Sequence, residues 1–357
     1  MEVSGVPGVG ISIGRNGGIA WSGSFGVKNL RTRDPVTGDT LFEAASMTKP
    51  AFAYVVMKLV DEGRLELSRP LVGYHRPAYL GDDPALDRIT VRDVLRHSTG
   101  LPNWAEGTLV TIAPPGTTYT YSGEGFVWLQ LIAEKVTGEA TGELMARHLF
   151  RPAGMNRSTM GWDARVERAA AYGHGDREPG SPDVPEQPTR KLAAALLPVA
   201  ARWRKPIDRW TYEDQVRAMQ QAVPDLKPVP HELLVNAAGG LMTTPSDYVR
   251  FMLLMMDHRT RAPWQISEGS RQAMLSHELD IAGPRFYRGL GWQREDPAGM
   301  TIFEHSGSNY GIFHSLAVGD ARSGNAIAVF TNGANGAALA ERIVRDCTGL
   351  ELMKFLA

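Results

Sequence analysis

The sequence predicts an α+β fold: an antiparallel sheet flanked by helices, built from both ends of the chain, with a mostly helical lobe inserted between. Three observations lead there. The N-terminal residues Val9 to Gly26 form two apolar, β-branched runs about an Asn-Gly turn, like a hairpin. Several short strand-like runs return between Tyr287 and Phe330. Between Leu71 and Met160 almost nothing reads as strand. Strands at the two ends with helices between them describe one sheet closed by the termini. The boundaries drawn on this basis are 1–68 with 231–357 for the sheet domain, and 69–230 for the helical lobe. A proline-rich insertion, 176–230, lies within that lobe.

Taken in order, Val9–Gly14 and Ile19–Gly26 flank Arg15-Asn16-Gly17-Gly18, and Asn-Gly between two such runs is a strong hairpin signal. A polar loop, Arg31–Thr40, leads to Phe42-Glu43-Ala44-Ala45-Ser46-Met47-Thr48-Lys49-Pro50. Beyond it Phe52, Val55, Val56, Leu59 and Val60 recur at helical spacing, and Gly63 supplies a stop. Thr90-Val91-Arg92-Asp93 opens a helix with a capping acid. Ser122 caps another, carrying Phe126, Leu129, Ile132 and Val136 up to Gly138, and Thr141–Leu149 is one more. Asp176–Pro188, dense in proline and charge, reads as a linker or mobile loop. Lys191–Arg202 and Tyr212–Val223 are weaker helical patterns, and Pro224, Pro228 and Pro230 break the chain. Thr244-Pro245-Ser246-Asp247 starts a helix with proline at its first position. Ile266–Met274 reads as strand or helix. Tyr287–Arg294, Met300–His305, Ile312–Val318 and Ala326–Phe330 read as strands, with a turn at Gly319–Gly324, before a final helix from Ala337 to Cys347.

Composition excludes several classes. The 357 residues are 43% hydrophobic and 22% charged, enough for a large core, and the formal net charge of −1 offers no basic surface to nucleic acid or an acidic membrane. Cys347 is the single cysteine, so no intramolecular disulfide can form. Met1-Glu2-Val3-Ser4-Gly5 lacks the basic and apolar regions of a signal peptide. The most apolar window, Leu192–Ala201, has about half the length of a membrane span. These features lead to the expectation of a soluble, cytoplasmic protein.

The chemistry centres on Ser46. It sits at or beside a helix N-terminus, with Lys49 one turn on along the same face. A serine hydroxyl needs a base to become a nucleophile, and a lysine amine serves if its ordinary pKa of roughly 10.4 is lowered. Free N–H groups at the helix start favour a developing oxyanion. Ser-x-x-Lys alone equally describes a capping serine and a surface lysine. Two further motifs, Tyr121-Ser122-Gly123 at a helix start and His305-Ser306-Gly307-Ser308 at a strand end, are weak singly and more specific in this order.

The chain resembles the serine hydrolases of the class C β-lactamase and penicillin-binding-protein superfamily, which includes family VIII carboxylesterases, D-aminopeptidases and ATP-independent transacylases. The resemblance is carried by Asp39-Thr40-Leu41-Phe42 with Ser46-Met47-Thr48-Lys49, by His97-Ser98-Thr99-Gly100-Leu101-Pro102, by Pro115-Gly116-Thr117 with Tyr121-Ser122, by Ala238-Gly239-Gly240-Leu241 and by His305-Ser306-Gly307. It lacks most of the helix that usually precedes the first strand, and 176–230 has no counterpart. It implies a β-lactamase/transpeptidase-like fold, Ser46 as the acylated nucleophile, Lys49 sharing its proton and Tyr121 as general base. The backbone N–H groups of Ser46 and Ser308 would form an oxyanion hole, with His305, Ser306 and Gly307 lining the strand side. Neither cofactor nor metal is implied. The partners would be a small acyl donor and a water, amine or alcohol acceptor.

Two departures bear on substrate. Glycine at 123 replaces the asparagine of the family's Tyr-x-Asn, and His305 replaces a lysine. Both weaken recognition of a carboxylated amide, so esterase or transacylase activity ranks above β-lactamase or D-amino-acid amidase activity. A non-catalytic binding or sensor domain on the same fold is the rival from another class, against which the joint retention of Ser46, Lys49 and Tyr121 stands. A metal enzyme ranks far behind, because His75, His97, His148 and His174 lack ligand spacing.

Overall fold

The computed structural model describes residues 4–178, 181–223, 232–256, 262–283, 285–297 and 299–352. Its main sheet has eight strands, all antiparallel. Their spatial order is Gly18–Gly26, Gly8–Arg15, Asn325–Thr331, Phe313–Asp320, Ile302–Asn309, Gln293–Glu295, Phe286–Arg288 and Leu279–Asp280. The N-terminal hairpin thus docks on the C-terminal strands, with Val9 opposite Thr331 and Ile13 opposite Ile327. The fold is the expected α+β arrangement. Asn16 and Gly17 turn the first hairpin with φ of 53° and 78°, the left-handed pair that matches strand twist.

The first strand shows why its sequence alternates. Val9 and Ile11 face one way, into a cluster with Leu316, Val318, Val329, Ala340 and Val344 under the C-terminal helix Gly336–Thr348. On the other face a Cβ at Gly10 would come 2.9 Å from Pro245, and one at Gly14 2.7 Å from Val249. The glycines let the helix Pro245–Met256 lie directly on the strand. That second face continues into the larger core, which includes Phe42, Phe52, Val55, Phe251, Trp292 and Phe330.

Most of the helices lie in the chain between the N-terminal hairpin and the C-terminal strands. Thr48–Asp61 is a helix buried along most of its length. Val91–Leu95 begins with the expected capping box, Thr90 and Asp93 satisfying each other's backbone N–H groups. Gly123–Thr137 begins at Ser122, whose Oγ accepts the Gly125 N–H, and ends at left-handed Gly138. Thr141–Met145 continues as a π-helical turn through Phe150. No helix among the described residues is long and apolar enough to cross a membrane.

Two expectations change and one left open is decided. Tyr287–Arg294 is two strands, Phe286–Arg288 and Gln293–Glu295, joined by a turn in which the Gly289 N–H reaches the Trp292 carbonyl. Gly291, at φ 88°, turns the chain there. Ile266–Met274 resolves as the helix Glu268–Leu275, capped by Ser267. Asp176–Pro188 is not a loose linker. It holds a hairpin, Gly175–Glu178 with Ser181–Asp183, and runs into the helix Pro188–Trp203. The hairpin is tied down beside its start, where the His174 N–H donates to the Asn332 carbonyl (3.0 Å) and Asn335 donates to Asp176 (2.6 Å). A second helix, Tyr212–Ala222, packs on the first. Pro224, Pro228 and Pro230 lie outside the described residues.

Candidate active site

Ser46 occupies a 3-10 turn, Ala45–Met47, that feeds the helix Thr48–Asp61. The turn is forced. Ala45 sits at φ 49°, a left-handed conformation that disfavours any side chain. It is held from several sides. Thr48 Oγ1 donates to the Ala45 carbonyl (2.7 Å) and Ser315 Oγ to the Ala44 carbonyl (2.9 Å). Tyr248 OH donates to the Met47 carbonyl (2.9 Å), and the Ala44 N–H reaches Leu241 O (2.8 Å). The Met47 and Thr48 N–H groups close this turn on the Ala44 and Ala45 carbonyls, and the helix beyond sets its positive end beside Ser46.

Lys49 is almost wholly buried, not at the surface. Its Nζ lies 3.1 Å from Ser46 Oγ and donates to the Ala238 carbonyl at 2.8 Å. The same nitrogen stands 4.9 Å from the centre of the Tyr121 ring, across the junction between lobe and sheet. Burial, and then the field of Arg288, push this amine down from 10.5 to about 7. The hydroxyl, the amine and the phenol therefore come together, although they start 75 residues apart between Ser46 and Tyr121.

The strand Ile302–Asn309 forms the other wall. His305 is buried, its Nδ1 2.7 Å from the Ser306 carbonyl. Gly307 passes so close to the serine turn that a Cβ would lie 2.3 Å from the Ala44 carbonyl. Ser306, Gly307 and Ser308 line a cavity of about 420 Å³ that opens on Ser46 and Tyr121 and extends to Gln293, His314 and Glu341. Ser308 also lines a second cavity of about 300 Å³, walled by Trp104, Trp162, Leu234 and Tyr310. At that border Asn309 donates to the buried Glu43 carboxylate (2.7 Å), whose pKa burial raises.

Two nearby side chains carried no role in the sequence reading. His97 stacks on Tyr121 with ring centres 4.3 Å apart, and its Nδ1 accepts the Ser122 N–H (3.1 Å). That bond places the ring's proton on Nε2. Burial, followed by the charges of Arg288, Lys49 and His305, holds the imidazole well below its usual range, so it is neutral. The signal available for His97 was its place in His97-Ser98-Thr99-Gly100-Leu101-Pro102. Arg288, buried beneath Tyr119, gave no local signal.

The geometry suits acyl transfer to a serine. Known proteins agree on the family. A model of the family described as Beta-lactamase matches residues 1–346. An unguisins hydrolase of Aspergillus campestris is 30% identical over 212 residues, which is 50% of this chain and 39% of that protein. A D-aminopeptidase of Brucella anthropi is 28% identical over 177 residues, 43% of this chain and 33% of its own length. The chain thus spans well under half of these two relatives. Among solved structures, the octameric penicillin-binding protein homologue from Pyrococcus abyssi superposes with a TM-score of 0.72 at 22% identity, covering 96% of this chain and 74% of that one.

Proposed function

The chain belongs to the β-lactamase family of serine hydrolases, and from that premise we propose that it forms an acyl-enzyme on Ser46 from a small ester or amide. Esterase or transacylase activity is the favoured form. The observation that carries this reading is the buried Lys49 amine, 3.1 Å from Ser46 Oγ and lowered to about 7. An amine in that range takes a proton at neutral pH, whereas a surface lysine would not.

In this reading Ser46 Oγ attacks the acyl carbonyl while its proton passes to Lys49 and Tyr121. The N–H groups of Ser46 and Ser308 hold the oxyanion, where one donor is worth roughly 2.7–4 kcal/mol. The proton then goes to the departing alkoxide or amine. Water, an amine or an alcohol next gives its proton to the same pair and takes the acyl group, restoring Ser46. The two cavities meeting at Ser308 offer separate places for acyl group and acceptor. A D-amino-acid amidase is the second reading, supported by the resemblance to a D-aminopeptidase.

The test uses p-nitrophenyl butyrate, a D-alanine p-nitroanilide and a fluorophosphonate probe. A mass adduct on Ser46 and loss of at least ~10³-fold in kcat/KM for Ser46→Ala are expected, on the scale of losing a nucleophile. The kcat/KM profile should rise with pH through about 7, because the base works once Lys49 has lost its proton. Equal ester turnover by wild type and Ser46→Ala, without an adduct, sinks the proposal. Faster anilide than ester turnover favours the amidase.

A further inference from the structure

The smaller of the two cavities meeting at Ser308, about 300 Å³, joins aromatic rings to carboxylates. Trp104, Trp162 and Tyr310 line it together with Glu43 and Glu232. Among the described residues no lysine, arginine or histidine lines it. Trp104 holds its place because of a glycine. A Cβ at Gly123 would fall 2.4 Å from Trp104 Cη2 and 2.6 Å from Cζ2, so the indole lies where any side chain at 123 would start. This is the position at which the resemblance leads to an asparagine. The polar side chain expected two residues after Tyr121 is thus replaced by an aromatic ring. The Ala105 N–H donates to Glu124 Oε1 at 2.9 Å, which ties the Trp104 segment to the same helix. At the rim Tyr310 stands at φ 55°, a left-handed conformation uncommon for a bulky residue.

The carboxylates are poorly compensated. Glu43 is 7% exposed and stands three residues before Ser46. Its partners are neutral: Asn309 Nδ2 donates to it at 2.7 Å, and the Thr189 hydroxyl, from the helix Pro188–Trp203, bonds it as well. Glu232 Oε2 is shut off from solvent and has no hydrogen-bond partner among the described residues. Carboxylates held out of water call for a cation. Arg190, on this side of the fold, does not fill that need. Its guanidinium carbon lies 5.4 Å from the Trp162 ring centre and 3.8 Å from that of Tyr172, and it is already paired with Glu167. Two carboxylates and three rings therefore border one space that contains no cation from its own walls.

We propose that this cavity is an ammonium subsite: the acyl group taken up by Ser46 carries a protonated primary amine, which sits between Glu43 and Glu232 and against the rings of Trp104, Trp162 and Tyr310. This deepens the acyl-enzyme reading above and rests on it. An ammonium donates up to three hydrogen bonds, and bonds from a charged donor to a carboxylate are the strong ones. Aromatic faces attract the same charge. A plain aliphatic acyl group would displace water from the carboxylates and give nothing back, and an anionic one would be repelled. Burial makes Glu43 reluctant to ionise, and an ammonium beside it favours the ionised form.

The experiment measures kcat/KM for p-nitrophenyl esters in pairs that exchange an ammonium for a methyl group: D-alanine against 2-methylpropanoate, 3-aminopropanoate against butyrate, and 6-aminohexanoate against heptanoate. Each value is divided by that ester's own rate with hydroxide, which removes the inductive effect of the ammonium. In wild type at least one pair should favour the amine by about tenfold or more, the scale of one hydrogen bond to a charged group. E43Q and E232Q should each cut that preference severalfold. W104L should weaken it, and W104F should keep it. No preference in any pair overturns the proposal. So does a preference that survives in a folded E43Q/E232Q double variant, or one abolished by E341Q, which would put the amine in the other cavity. If thermal melts show that E43Q does not fold, E232Q and W104L decide: loss in both supports the subsite, and retention in either ends it. Fluorophosphonate separates the two levels. Wild type labelled on Ser46 but without a preference leaves the acyl-enzyme standing and removes the subsite. Wild type neither labelled nor active on any ester removes both.

Discussion

At position 307 a single methyl group decides whether the serine turn can form. A Cβ there would press on the Ala44 carbonyl at 2.3 Å and on Ser315 Oγ at 2.6 Å, both part of the clamp around Ala45. Neither atom can retreat without losing the hydrogen bond between them. Gly307→Ala should therefore distort the left-handed Ala45 and displace Ser46 by a fraction of an ångström. Misplacement of about 1 Å can cost about 10²-fold in rate. Ester hydrolysis and fluorophosphonate labelling should both drop at least tenfold, while circular dichroism stays native. Labelling at the wild-type rate would show that the clamp tolerates the methyl. The sequence reading placed Gly307 on the pocket wall. It gave no hint that the glycine's other task is to leave room for another segment, because that neighbour is more than 250 residues away.

Elements were legible where a local pattern and the fold asked for the same thing. The helix after Ser46 has apolar spacing, a first-turn proline and a glycine stop, and it forms as read. The helix beginning at Ser122 likewise forms at its cap. Reading failed where the deciding contact was distant. Tyr287–Arg294 has strand-forming Tyr287 and Trp292 near its ends, yet Gly289 and Gly291 between them fold it into a tight turn against Leu95 and Ala53. Asp176–Pro188 has the composition of a linker, but the segment after the sheet's last strand holds it down at Asp176 and at the preceding His174. The Ser122 cap is where element and chemistry meet. Its Oγ accepts the Gly125 N–H (3.1 Å) and donates to the Pro102 carbonyl (2.8 Å), and its own N–H reaches His97. Tyr121, the residue just before, is aimed by those three bonds. Ser122→Ala should cost about 1 kcal/mol of stability, as a lost cap does, with a further loss in kcat as Tyr121 gains freedom. An unchanged kcat beside a lowered melting temperature would make the cap purely structural.

Across the whole molecule, the helix Tyr212–Ala222 is wired to the site although it supplies none of its groups. The buried Gln215, on the helix Tyr212–Ala222, brackets Val235: its Oε1 accepts the Val235 N–H (2.8 Å) and its Nε2 donates to the Val235 carbonyl (3.0 Å). From the lobe's central helix, Gln130 does the same one step on, donating to Val235 O (3.0 Å) and accepting from Ala237 N–H (2.8 Å). Ala238 follows, and its carbonyl holds Lys49 (2.8 Å). Glu134 ties the same two helices together, accepting the Tyr212 N–H (2.8 Å) and Thr141 Oγ1 (2.6 Å). Neither glutamine stands out in sequence, since each is one polar residue on an otherwise ordinary helix. Gln215→Leu keeps the size but leaves the Val235 N–H buried without a partner, at a cost of roughly 1–3 kcal/mol. The strain falls on the segment that delivers Ala238. The expected outcome is a melting temperature lower by several degrees, together with a severalfold loss of kcat on a p-nitrophenyl ester. Gln221→Ala, on an exposed position of the same helix, is the control and should change neither. If Gln215→Leu lowers stability while kcat matches the control, the insertion supports the fold without steering Lys49. If kcat falls with it, a helix that lends no side chain to the site has been drawn into aligning the amine.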